Sequence, residues 1–157
     1  MGIAKGVGLA IVMASLAQAA AAEDAFDACD VFTAKEAEGA LGTTVVEAAA
    51  YKGKRPKVIM TCQYAGFKDG KAVMASAAFK VLRTEAEMRQ AFADSRLELQ
   101  TKPLIIDGNE AFWNAKSGQL YVRKGRSQLT VAVGSVKEVE RDVDNARKLA
   151  ETLVKKM

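Results

Sequence analysis

Val58-Ile59-Met60-Thr61-Cys62-Gln63-Tyr64, the turn Phe67-Lys68-Asp69-Gly70 and the run Val73-Met74-Ala75-Ser76-Ala77-Ala78-Phe79-Lys80-Val81 decide the fold. Val58, Met60, Cys62 and Tyr64 fall on one face of an extended chain, and Val73, Ala75, Ala77, Phe79 and Val81 on one face of the next. The short polar turn between them is too brief for a crossover helix, so the two runs read as an antiparallel hairpin. Leu129, Val131 and Val133 repeat the period of two near the end of the chain. Shorter strand candidates run from Thr44 to Ala50, Ala111 to Ala115 and Leu120 to Lys124, with Ser117-Gly118 and Lys124-Gly125-Arg126 as further turns.

Outside the strands the period lengthens. Thr33-Ala34-Lys35-Glu36, Thr84-Glu85-Ala86-Glu87 and Ser135-Val136-Lys137-Glu138 each place a hydroxyl three residues ahead of a glutamate, the pattern of a capping box at a helix start. The first helix closes near Leu41, where Gly42 supplies a left-handed stop. Met88, Ala91, Phe92 and Ser95 make the inner stripe of the second. In the third, Val136, Val139, Val143, Ala146, Leu149, Ala150, Leu153 and Val154 recur at threes and fours. The order helix, three strands, helix, three strands, helix predicts an α+β sandwich: one antiparallel sheet of about six strands covered by three helices.

The first residues carry an address. Lys5, the apolar run from Val7 to Leu16 and the alanine-rich stretch up to Ala22 read as a secretory signal peptide, 1–22, with cleavage after Ala19 as the alternative. The apolar run is shorter than the roughly 20 residues that span a bilayer. Residues 23–157 are then a single α+β domain, expected as a monomer in the periplasm or secreted, with no transmembrane segment after processing. In an oxidising compartment the two cysteines of the chain pair as one disulfide, Cys29 to Cys62.

Composition excludes several chemistries. The 157 residues contain no histidine, so neither a Ser/His/Asp triad, a Cys/His dyad nor an imidazole metal cage can be built. The serines lack an elbow or S-x-x-K neighbourhood, and no glycine-rich phosphate loop follows a strand. No enzyme activity, cofactor or metal is expected. Glu23, Asp24, Asp27 and Asp30 lack the spacing of a calcium loop, and Asp107-Gly108-Asn109-Glu110 reads as a turn before it reads as an acid/base pair.

Cys29-Asp30-Val31-Phe32-Thr33, Ala40-Leu41-Gly42, Cys62-Gln63-Tyr64, Asp107-Gly108-Asn109-Glu110-Ala111, Leu120-Tyr121-Val122 and a closing helix with Ala146, Leu149 and Ala150 form an ordered series. It resembles the domain of unknown function of secreted actinobacterial lipoproteins, where C-x-L-L-T, L-G, C-x-Y and G-x-G-x-x-A recur in that order. The resemblance implies a sandwich similar to the PsbP-like fold and brings no catalytic residues. The chain departs from that pattern in lacking a lipobox before Cys29, which implies a free rather than an acylated protein, and in carrying Asp107-Gly108-Asn109-Glu110 where two glycines are common.

Binding is what remains. Lys52, Lys54, Arg55 and Lys57 form the densest cationic run of the chain, and Arg123, Lys124 and Arg126 sit at a predicted hairpin tip. Trp113 must face the side of its strand opposite Phe112, so one of the two is available to a ligand or partner while the other packs. The function expected is an exported, non-catalytic envelope protein that binds an envelope protein or an anionic envelope component, with no nucleic acid partner. The alternative is a small-ligand carrier whose apolar pocket lies between sheet and helix, walled by Phe79, Trp113 or Tyr121.

Overall fold

A computed structural model describes residues 27–51, 59–141 and 143–157. The chain begins with two short helices, α1 (Ala28–Val31) and α2 (Ala34–Leu41), followed by strands β1 (Val45–Tyr51), β2 (Ile59–Lys68) and β3 (Lys71–Val81). Helix α3 (Glu85–Glu98) leads into β4 (Pro103–Ile106), β5 (Asn109–Asn114), β6 (Gln119–Lys124) and β7 (Ser127–Ser135). A 3-10 turn at Glu138–Glu140 precedes the last helix, α4 (Val143–Val154).

The strands form one antiparallel sheet of order β1-β2-β3-β7-β6-β5-β4. Each half is a meander, and the two meet where β3 pairs with β7. The mixed α+β class is as expected, with one strand and one helix more than the sequence pattern suggests. The additional strand is β4, whose Pro103-Leu104-Ile105-Ile106 is a short apolar run with no alternation to mark it. The additional helix is α1, capped by the Asp27 carboxylate accepting from the Cys29 N–H at 3.0 Å.

Register divides the sheet into two faces. Cys62 lies opposite Ala77, and Ala77 opposite Val131. With Tyr64, Ala75, Phe79, Leu129, Val133, Leu120, Val122, Ala111 and Ile106 they form the face that carries the main core. Phe32, Ala37 and Leu41 from α1 and α2, and Ala146, Leu149, Ala150, Leu153 and Val154 from α4, pack on it. The stripe of α4 is the one its sequence spacing indicates. On the other face α3 lays Met88 and Phe92 over the second meander, where Phe92 meets Phe112 and Phe112 stacks on Tyr121 at a ring separation of 4.6 Å.

Two of the three helix starts behave as capping boxes. The Glu36 carboxylate accepts from the Thr33 N–H at 2.8 Å, and Thr84 and Glu87 cap each other reciprocally. Gly42 ends α2 with φ 68, as its position implies. The third start is a correction. Ser135 is the last residue of β7, paired with Val73, and its hydroxyl donates to Glu140 while accepting from the Lys137 N–H. The chain therefore turns before it coils, α4 begins at Val143, and Val136 is left 49 % exposed rather than on the inner stripe.

The Cys29–Cys62 disulfide is formed, with 5.2 Å between the Cα atoms. It ties α1 to the central part of β2, beside Tyr64, whose hydroxyl donates to the Phe32 carbonyl at 3.2 Å. Cross-linking across 33 positions contributes about 3–4 kcal/mol in the chain-entropy picture.

Candidate functional site

Two of the three cations at the β6–β7 hairpin, Arg123 and Lys124, are engaged within the fold. Arg123, with its side chain 13 % exposed, bonds the Glu110 carboxylate of β5 at 2.9 Å and the Glu85 carboxylate of α3 at 3.3 Å. It thereby clamps the first turn of α3 to the sheet. The Arg89 and Arg123 guanidinium groups hold the Glu85 carboxyl below the usual carboxylate range. Lys124 points to the other face, where its ammonium donates to the Val154 carbonyl at 2.7 Å and caps the end of α4. Arg126 is exposed at the turn, and its carbonyl accepts from the Leu82 N–H. The run Lys52, Lys54, Arg55 and Lys57 lies outside the described residues, as does the leader 1–22.

Trp113 is the inward member of its pair with respect to the main core, against which it packs half-buried, while Phe112 is fully buried under α3. Phe79 shares the Trp113 face and Tyr121 lies on the opposite one, so the three aromatic residues expected to wall a carrier pocket do not line one space. Burial raises the Tyr121 hydroxyl above its ordinary value, and it donates to the Gln119 side chain at 2.8 Å. Asp107, with φ 48, is a turn residue, as its sequence neighbours imply. Among the described residues no group of three acidic or sulfur ligands could hold a metal, and no helix is long and apolar enough to cross a membrane.

A different surface stands out once the register is known. On the side of the sheet that bears α3, the first meander presents Val46 and Ala49 from β1, Thr61, Gln63, Ala65 and Phe67 from β2, and Ala72, Met74, Ser76 and Ala78 from β3. None of these residues is buried, and none is charged; the first charge on this face of β3 is Lys80, at the end away from Phe67. At that Phe67 end the surface becomes apolar and concave. An open cleft of about 510 Å³ is lined by Val46, Ala65, Phe67, Ala72 and Val136, with Val46 71 % and Phe67 72 % exposed.

The floor of the cleft is closely packed. Gly66 sits so close to the segment just ahead of β1 that a Cβ there would lie 2.6 Å from the Thr44 carbonyl oxygen, and the Thr43 hydroxyl donates to the Phe67 carbonyl at 2.8 Å. On its far side Arg141 locks the Ser135–Arg141 segment onto the sheet, donating to the carbonyls of Ser135, Ser117 and Val136 and to the Met74 sulfur. Burial lowers the Arg141 guanidinium below its ordinary value, against a smaller opposing effect from Glu138. These contacts fix Val136 at the rim.

Turn composition assigns Phe67 to the β2–β3 connection and so conceals this surface in the sequence. A signal for it is nevertheless present: Thr61, Gln63, Ala65 and Phe67 alternate with Cys62 and Tyr64, so an aromatic at 67 belongs to the off-core face.

Compared with known proteins, the chain matches no family model, no curated protein and no solved structure.

Proposed function

We propose that the chain is an exported, non-catalytic module that binds a protein of the cell envelope through the first-meander face and its apolar end. The observation that carries this reading is the asymmetry of α3. It covers the second meander and leaves the off-core face of the first one unburied, free of charge on β3 as far as Lys80, and ending in exposed Phe67, Val46 and Val136. An exposed apolar patch at the rim of a sheet is a recurring mark of a protein interaction site. Burying the Phe67 side chain against a partner would contribute about 1.5–3 kcal/mol.

Other features agree with this reading. A disulfide fits a protein that folds outside the cytoplasm. The absence of histidine from the sequence favours binding over acid/base or nucleophilic catalysis. Of the cations that could serve an anionic surface, Arg123 and Lys124 are engaged in helix attachment. The exposed apolar end of the first meander favours a protein partner over an anionic surface, and membership of the lipoprotein-type family is proposed from the sequence resemblance alone.

The test uses the double variant V46D/F67D. In envelope extract the tagged parent chain should elute in a larger species than the purified chain. The variant should elute at the size of the purified chain, with its thermal unfolding unchanged. Co-elution of parent and variant, in either the larger or the smaller position, would overturn the reading.

A further inference from the structure

A second cleft, on a separate part of the molecule, lies between α3 and the edge strand β4. It encloses about 180 Å³ and is walled by Phe92, Ala93, Pro103 and Ile105, with Arg89 and Arg96 contributed by the helix. Strand β4 ends the sheet, so one side of its backbone has no strand partner among the described residues.

The hairpin geometry says which backbone groups are open. Asp107 and Gly108 form a two-residue turn with φ 48 and 76, both left-handed, which makes Ile106 and Asn109 the hydrogen-bonded pair beside the turn. Alternation then turns Leu104 inward toward Ala111 and leaves Ile105, opposite Glu110, at a non-hydrogen-bonded position. The Ile105 N–H and C=O therefore point away from β5, together with the Pro103 C=O. Proline has no N–H, so the edge offers one donor and two acceptors, enough for a short extended segment. The Ile105 side chain, 62 % exposed, stands on the α3 side of the sheet.

Charge selects the occupant. Arg89 bonds Glu85, and Glu110 is held by Arg123. Arg96 is half-buried in the cleft, and no hydrogen bond or ion pair with a described residue engages its guanidinium. A residue added opposite Ile105 projects its side chain to the α3 side, toward the wall that Arg96 supplies. A free guanidinium beside an open strand edge and an apolar wall is complementary to a carboxylate on an extended chain.

We propose that the β4 edge takes up a short, extended acidic segment of a protein partner as an added strand, with backbone bonds to Ile105 and Pro103 and a carboxylate on Arg96. This surface is independent of the first-meander face, and either can fail without the other.

The probe is the synthetic peptide acetyl-Thr-Val-Thr-Glu-Thr-Val-Thr-amide, titrated into the oxidised, ¹⁵N-labelled protein and followed by amide and guanidinium shifts. Saturable shifts are expected at the Ile105 amide and the Arg96 Nε–H. Binding should weaken about fivefold or more in R96Q, in line with the loss of a charge-assisted hydrogen bond. I105P removes the outward donor of an edge strand, a position where proline is tolerated, and should abolish the peptide-induced shift at the Arg96 Nε–H while the fold is kept. A version of the peptide with lysine in place of glutamate should not bind. Absence of a saturable shift at Ile105 up to millimolar peptide, or equal binding of the lysine peptide, would overturn the proposal. Shifts at Ile105 that depend on protein concentration without peptide would also overturn it, and would assign the edge to a second copy of the chain.

Discussion

The Lys124 ammonium donates to the Val154 carbonyl at 2.7 Å, joining the end of β6 to the last residue of α4. The contact satisfies one of the carbonyls that a helix C-terminus leaves open and places a positive charge at the negative end of the helix dipole. Replacing Lys124 with methionine keeps most of the stem and removes the donor. Unfolding in urea should show a loss of about 0.5–1.5 kcal/mol, with the m-value unchanged. A variant as stable as the parent would show that the cap is unimportant.

Glu36 ties α2 to the C-terminus of the chain through an ion pair with Lys156. Burial alone would raise its carboxyl, but bonds from Lys156 and Thr33 outweigh that effect and hold it below the ordinary glutamate value. A carboxyl depressed in the folded state stabilises the fold above its unfolded pKa, and this contribution is lost as pH falls through the folded value. Stability should therefore decline from about pH 4.5 downward, and E36Q should show a shallower decline over that window. Parallel pH profiles for parent and E36Q would contradict the assignment.

Gly118 and Gly125 both have positive φ, 57 and 56, but differ in surroundings. A Cβ at Gly118 would lie 2.4 Å from the Glu138 carbonyl oxygen and 2.9 Å from Arg141, whereas at Gly125 nothing lies within 4 Å. G125A should cost about 1 kcal/mol of backbone strain, and G118A about 2 kcal/mol or more because the Arg141 lock must move. Thermal melts of the two variants compare them directly.

Much of this fold is legible from local pattern. Alternation around Cys62 and Ala77, together with the Asp69-Gly70 turn, identifies the β2–β3 hairpin. The threes and fours from Val143 to Val154 identify α4. What is not legible depends on distant partners. Ser135 and Glu138 have capping-box spacing, yet strand pairing with Val73 claims Ser135 and postpones the helix. Arg123 has the charge of a surface cation, but Glu85 lies 38 residues away in the chain and only the fold brings it near. The first-meander face is hidden for a related reason: whether a strand's second face is covered depends on where α3 lands, which its own sequence does not specify.

Reduction of the disulfide should lower stability by about 3–4 kcal/mol, seen as a lower midpoint in urea under reducing conditions. The C29S/C62S variant should match the reduced parent, which separates the cross-link from side effects of the reductant. Equal midpoints for oxidised and reduced parent would mean that the bridge adds no stability to the sheet.

The most direct measurement places a photo-crosslinking amino acid at Phe67 in the protein produced in its native host and, in a second variant, at Glu98 at the C-terminal end of α3. Irradiation should give a discrete heavier adduct with an envelope protein from position 67 and none from position 98. No adduct from position 67, or the same adduct from both positions, would contradict the assignment of the first-meander face as the binding surface.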